Sequence, residues 1–235
     1  MLMLGVDSSS KTASAAVFDC ENNKILSEIN SNGNVPHSEN LLPMIDYALK
    51  TAGVGVSDVN LFAVANGPGS FTGIRIGVAT VKGLAFGNIN ADNCIAVSSL
   101  QALAFNFDVL NDNHDTLILP VIDARRRQVY NAIFDSELEH VKHGRIITID
   151  ELERELNSEY AGKTAIFTGD GADMCCTEID FKGKMKTPGI LKRPSAGALC
   201  AAALREYQKR GAVSANKLAP AYLIKTQAER EYYEK

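Results

Sequence analysis

The residues best suited to chemistry lie in NGPGSFTGIRIG, residues 66–77, where four glycines and a proline separate the apolar run LFAVA from a segment almost free of charge. A glycine turn between a strand and a helix can aim backbone amides at a phosphate, and the helix dipole adds to the attraction. The spacing fits no standard cradle. Gly67, Gly69 and Gly73 give GxGxxxG, one residue longer than a dinucleotide fingerprint, with Thr72 where the third glycine belongs. The next strand, CIAVSS, ends in serines instead of a ribose-binding acid, and no GK[ST] completes a Walker loop. Two readings remain: an anion site at a helix N-terminus, or backbone packed so closely that no side chain fits.

Other reactive side chains form no catalytic set. There is no GxSxG elbow and no HExxH. The four histidines, His37, His114, His140 and His143, offer only HVKH as a pair, and its spacing beside Gly144 predicts a solvated loop. Five cysteines without CxxC spacing suit neither a disulfide framework nor a zinc ribbon, and fit a reducing cytoplasm.

The elements that would position these residues are legible from hydrophobic period. LMLGVD, ASAAVFD and KILSEINSN predict three consecutive strands, followed by a helix over 38–52, the strand VNLFAVANG, a helix over 71–87, the strand NCIAVSS and a helix from Leu100 to about Phe107. The polar stretch DVLNDNHD predicts a boundary, giving an N-terminal lobe over 1–106 and a C-terminal lobe over 107–235. The second half restarts with TLILPVID, QVYNAIFD and GRIITID, then a helix in ELERELNSEY, the strand TAIFTGDG and a helix from Ser195 to about Lys209. It reads as a degenerate copy of the first half, an α/β fold of duplicated mixed-sheet lobes.

Composition bounds the function. A net charge of −4 and an isoelectric point near 5.6 argue against independent, non-specific nucleic-acid binding. The N-terminus lacks a basic region before a long apolar one, and no apolar run approaches a membrane span, so neither export nor membrane insertion is expected. The helix over 71–87 is unusual: from Gly73 to Gly87 it holds two charges, Arg75 and Lys82, and its glycines pair at i,i+4 as Gly73 with Gly77 and Gly83 with Gly87. Such a helix needs burial on more than one side, which predicts an interface with a second protein.

GVDSSSKTASAAVFD, HSENLLPMI, NGPGSFTGIRIGVATVKGLAFG, IDARRRQVY and APAYL together resemble the TsaB (YeaZ) family of bacterial tRNA threonylcarbamoyladenosine biosynthesis proteins, from end to end of the chain. The resemblance implies a two-lobed actin, sugar kinase and Hsp70 (ribonuclease H-like) fold. It also implies a non-catalytic partner of a TsaD-like subunit, which transfers threonylcarbamoyl to the adenosine beside the anticodon of tRNAs reading ANN codons. A TsaE-like ATPase joins that complex, tRNA is met through it, and the chain pairs with itself when alone.

The resemblance also carries residue expectations. Ser99 and Leu103 stand where the TsaD relative has a metal-binding HxxxH, so no metal is expected. Asp7 occupies the place of a magnesium-associated carboxylate, and Ser8, Ser9 and Ser10 that of the first phosphate loop. Asp123 is kept at the second, but Arg125, Arg126 and Arg127 fill its turn, where they would obstruct a nucleotide or contact RNA phosphate. Gly169 and Gly171 resemble a remnant of the adenosine loop. No cofactor is expected to bind tightly, with ATP or ADP only at the partner interface or within the complex; the alternative is a weak ATP-binding phosphotransferase or ATPase using Asp7 and Asp123. The expected partner surface is Leu42 and Ile45 on the first helix with Arg75, Val78 and Lys82 on the second.

Overall fold

The computed structural model describes residues 1–33, 35–108 and 114–223. Two five-stranded sheets carry the fold. In the first, β1 (Leu2–Asp7), β2 (Ala13–Asp19) and β3 (Lys24–Ser31) form an antiparallel meander, and β4 (Leu61–Ala65) and β5 (Cys94–Val97) extend it in parallel, giving the order β3-β2-β1-β4-β5. In the second, β6 (Thr116–Asp123), β7 (Gln128–Phe134), β8 (His140–Thr148), β9 (Thr164–Thr168) and β10 (Lys184–Lys186) repeat it position for position, as β8-β7-β6-β9-β10. The crossovers are α1 (His37–Ala52) and α2 (Phe71–Phe86) in the first half, and α4 (Ile149–Glu159) and α5 (Ala172–Glu178) in the second. Between the halves lies α3 (Ser99–Ala104), and α6 (Ala196–Arg210) follows β10.

Alternation along the strands sets the layers. Leu4, Val6, Phe62 and Val64 face one side of the first sheet, where Leu41, Ile45, Ile74, Val78 and Val81 of α1 and α2 cover them. Met3, Leu61, Ala63 and Ala65 face the other side, in one apolar cluster with Leu103 of α3, Leu199 and Ala202 of α6, and Ile118 and Phe134 of the second sheet. The far face of the second sheet packs Leu117, Leu119 and Phe167 against Leu152, Leu156 and Cys175 of α4 and α5. Helices therefore cover both outer faces and fill the space between the sheets.

The C-terminal helix crosses the chain's midline. α6, read from the sequence as part of the second lobe, packs against β1, β2, β5 and α3. At Gly5 a Cβ would sit 2.4 Å from Cys200 Sγ and 2.9 Å from Ala196 O, so β1 receives α6 almost backbone to backbone. After α6 the chain returns to the first lobe, where Val213 bridges Cys94 and Ala215 joins the core beneath α2. The stretch proposed as the lobe boundary, 108–115, falls largely outside the described residues. His140 and His143 sit on β8, not in a loop; the bulged register between β7 and β8 accompanies ring centroids 4.6 Å apart. Burial and the neighbouring His143 hold the His140 pKa below its usual value.

Candidate docking face and interlobe cleft

The glycine turn binds the first hairpin loop. Ser70 N donates to Ser9 O at 2.7 Å, and Ser8 Oγ donates to Gly73 O at 2.9 Å. A Cβ at Gly69 would meet Ser9 O at 2.2 Å, at Gly73 Ser8 O at 2.1 Å, and at Gly77 Ser8 Oγ at 2.5 Å. Ser70 Oγ accepts from Gly73 N at 3.2 Å and caps α2. These glycines let α2 lie against residues 8–10.

Four of the seven expected phosphate-loop residues converge, and Asp7, Ser8 and Gly171 do not line the cavity. Ser9, Ser10, Asp123 and Gly169 line a 470 Å³ cavity between the lobes, together with Lys11, Asp170, Asp173 and Lys192. Some of the donors here turn inward, however. Ser9 N and Ser9 Oγ both donate to Asp7 Oδ1, at 2.8 and 2.7 Å, and Thr12 N donates to Ser10 Oγ at 3.0 Å. Asp170 Oδ1 accepts from Asp123 N at 3.0 Å, and Asp123 Oδ1 accepts from Arg125 N at 2.7 Å. Gly169, at φ +99°, is required for packing, because a Cβ there would meet Val121 O at 2.2 Å; Gly171 N also donates to Val121 O. Ser9's donors are thus engaged by Asp7, and arginines occupy the second turn. Among the described residues, no group of three or more His, Cys, Asp or Glu side chains could hold a metal ion, and no helix is long and apolar enough to cross a membrane.

Asp7 lies behind the cleft, hydrogen-bonded to Ser9. It is buried, its Oδ2 takes no hydrogen bond among the described residues, and burial pushes its pKa up against the opposing pull of Ser9. An acid whose folded pKa exceeds its unfolded one loses stability as pH rises from the unfolded value through the folded one. Asp7→Asn keeps an acceptor for Ser9 and removes the charge. It should therefore raise stability at pH 7, with the gain fading in acid once Asp7 is protonated in both states. Urea unfolding of both chains from pH 7 into acid measures it; a less stable Asn variant at pH 7 would show that the ionised carboxylate stabilises the fold.

The three arginines separate into different roles. Arg125, Arg126 and Arg127 all adopt left-handed backbone, with φ of 66°, 52° and 59°, at about 1–2 kcal/mol each. Arg127 is tied to Asp150 at 2.9 Å and to Glu178, and those carboxylates raise its pKa. Arg125 lines a second chamber at the cleft mouth with Lys11, His37 and Phe71. Arg126 is exposed.

The outer helices differ from expectation in phase. Ile45 and Val78 are buried against the first sheet, at 1% and 4% exposure, so they are not on the outward side. Leu42 and Arg75 do face outward, whereas Lys82 is half-buried and turns its ammonium to Leu218 O at 3.2 Å. The outward surface is Leu42 and Tyr47 on α1 with Phe71, Arg75, Ala79, Gly83 and Phe86 on α2; Tyr47 is 62% exposed and Phe86 52%. Gly83 has nothing within 4 Å of a built Cβ. One glycine pair of α2 is thus used inside the chain, while Gly83 leaves a shallow strip on the outside. Neither Phe71, Ala79 and Phe86 nor Tyr47 was singled out from the sequence; the signals available were the i,i+4 spacing from Arg75 on α2 and from the charged pair Asp46 and Lys50 on α1, 2.7 Å apart.

Comparison with known proteins agrees with this architecture. The family model of TsaD, tRNA N6-adenosine threonylcarbamoyltransferase, matches residues 24–232. The tRNA threonylcarbamoyladenosine biosynthesis protein TsaB of Haemophilus influenzae is 30% identical over 231 residues, 95% of this chain and 93% of that one. The TsaB of Escherichia coli is 38% identical over a shorter stretch, 46% of this chain and 45% of that one. Among solved structures, YeaZ from Pseudomonas aeruginosa superposes with a TM-score of 0.78 at 26% identity, covering 94% of this chain and 99% of that one. An inorganic polyphosphate/ATP-glucomannokinase from Arthrobacter shares the fold alone, with a TM-score of 0.50 at 9% identity over 87% of this chain and 99% of that one. A two-lobed fold of the actin and sugar kinase type, and a full-length relative at this identity, establish that the chain belongs to the TsaB (YeaZ) family of tRNA threonylcarbamoyladenosine biosynthesis proteins.

Proposed function

We propose that this chain is a non-catalytic docking subunit in tRNA threonylcarbamoyladenosine synthesis. Its outer helices hold a TsaD-like threonylcarbamoyltransferase, the reaction belongs to that partner, and tRNAs reading ANN codons are met through the complex. The observation that carries the reading is the outward face of α1 and α2, where Leu42, Tyr47, Phe71 and Phe86 stand exposed around Ala79 and Gly83. Apolar side chains surrounding a shallow strip are what a second helix needs for close approach. Ser99 and Leu103, at the positions of the relative's histidine pair, support a role without metal chemistry. Engaged phosphate-loop donors support the absence of a tightly held nucleotide, leaving ATP or ADP to the partner interface, where a TsaE-like ATPase would join. The same face would pair two copies when the partner is absent, so self-association and partner binding should compete.

Sedimentation velocity on this chain mixed with the TsaD-family subunit of the same organism tests the reading. A faster species containing both chains is expected, at the expense of any self-paired form. Independent sedimentation at tens of micromolar would contradict it.

A further inference from the structure

Two motifs far apart in sequence, NGPGSF at 66–71 and APAYL at 219–223, form one unit. Ala221 N donates to Asn66 O at 2.7 Å, and Asn66 Nδ2 donates to Ala219 O at 3.2 Å. Gly67, at φ +122°, leaves room for this contact, since a Cβ there would lie 2.5 Å from Ala221 O. Lys82 Nζ adds contacts to Asn216 O at 3.5 Å and Leu218 O at 3.2 Å. Residues 216–222 are thereby laid as a strap along the flank of α2.

The strap ends at an arginine. The Tyr222 ring stacks on Phe71 with centroids 5.1 Å apart, and its Oη accepts a hydrogen bond from Arg75 Nε at 2.8 Å. Arg75 Cζ lies 3.7 Å from the Phe71 ring centroid. An exposed guanidinium is therefore held by an aromatic face and one hydrogen bond from Nε, a bond that does not use the fork of its two terminal nitrogens. Among the described residues no carboxylate pairs with it. Fixing the fork in advance removes much of the rotamer cost of pairing it.

We infer that Arg75, positioned by Phe71 and Tyr222, is a carboxylate receptor on the docking face, and that the partner it fits is a protein helix carrying an Asp or Glu among apolar residues. This rests on the docking reading above. The outer stripe of α2 favours a protein carboxylate over a nucleic-acid phosphate: phosphate-tracking surfaces need several cations, whereas the stripe offers Arg75 among Phe71, Ala79, Gly83 and Phe86, and Lys11, His37 and Arg125 belong to the chamber at the cleft mouth. Tyr222 is a positioning residue, acting through Arg75.

The test measures affinity for the TsaD-family subunit of the same organism by titration calorimetry at two salt concentrations, with melting curves to confirm folding. Arg75→Ala should weaken binding about 10- to 30-fold and flatten its salt dependence. Tyr222→Ala should give part of that loss, Tyr222→Phe less, and Arg75→Lys should not restore full affinity because a point charge lacks the fork. The double variant Arg75→Ala, Tyr222→Ala should bind no more weakly than Arg75→Ala alone. If Ala79→Glu abolishes binding while the Arg75 and Tyr222 variants bind as the parent does, the receptor is wrong and the docking face stands. If Ala79→Glu also binds normally, both are wrong. Loss of self-association with partner affinity intact would make a second copy the occupant and overturn the partner named.

Discussion

Ala79→Glu is expected to weaken pairing with a TsaD-family subunit by at least about 100-fold, because the longer side chain overfills the shallow strip and its carboxylate, one turn from Arg75, competes for the guanidinium the partner needs. The melting temperature should stay close to the parent's, since Ala79 is exposed and a charged side chain can remain in water in the free chain. Ile45→Glu gives the opposite pair of outcomes. Ile45 is 1% exposed beneath α1, so the charge would enter the core and cost about 4 kcal/mol or more of folding stability. The two variants separate loss of docking from loss of fold, and calorimetry with binding measurements reads both. An Ala79→Glu chain that pairs normally would remove α2 from the interface.

Glycine substitutions within α2 should differ in sign. Gly73→Ala gains helix propensity of about 1 kcal/mol, but its methyl would lie 2.1 Å from Ser8 O, a backbone atom fixed by the hairpin. The clash dominates. It should destabilise the chain by about 3 kcal/mol or prevent folding, and displace the loop that carries Ser9 and Asp7. Gly83→Ala meets nothing within 4 Å and should stabilise the free chain by about 0.5–1 kcal/mol. Denaturant unfolding of the pair checks this; equal effects would mean that the turn is not set by its contact with residues 8–10.

The succession of strands was readable except at β10, because the others are short apolar runs between turn residues, and the repeated strand, strand, strand, helix, strand pattern points to a repeated sheet. Less readable was α6. Its apolar positions give the helix but not which sheet receives it, a choice made by the close approach of Ala196 and Cys200 to Gly5. The short α5 and β10 were missed because a seven-residue helix and a three-residue strand carry too little period. On the outer helices, α2 is apolar around most of its circumference, so Val78 and Ala79 look equally suited to either side until the sheet is in place. For α1 the phase was written in the sequence: Asp46 and Lys50 mark the outer side, and Ile45 lies with Leu41, Ala48 and Leu49 on the inner one. Of the chemical loops, their convergence in one cleft followed from topology. The use of Ser9 and Asp123 as internal partners depends on hydrogen bonds that residue types alone do not specify.

The central claim is that this chain acts by docking and leaves the chemistry to its partner. Reconstituted threonylcarbamoylation of an ANN-reading tRNA, with threonylcarbamoyl adenylate supplied and the TsaD-like and TsaE-like proteins held constant, tests it most directly. Product should form with the parent chain, fall to background when it is omitted or replaced by Ala79→Glu, and persist with Asp7→Asn, which alters the cleft and leaves the face intact. Equal rates with and without the chain, or full activity from the Ala79→Glu chain, would contradict it.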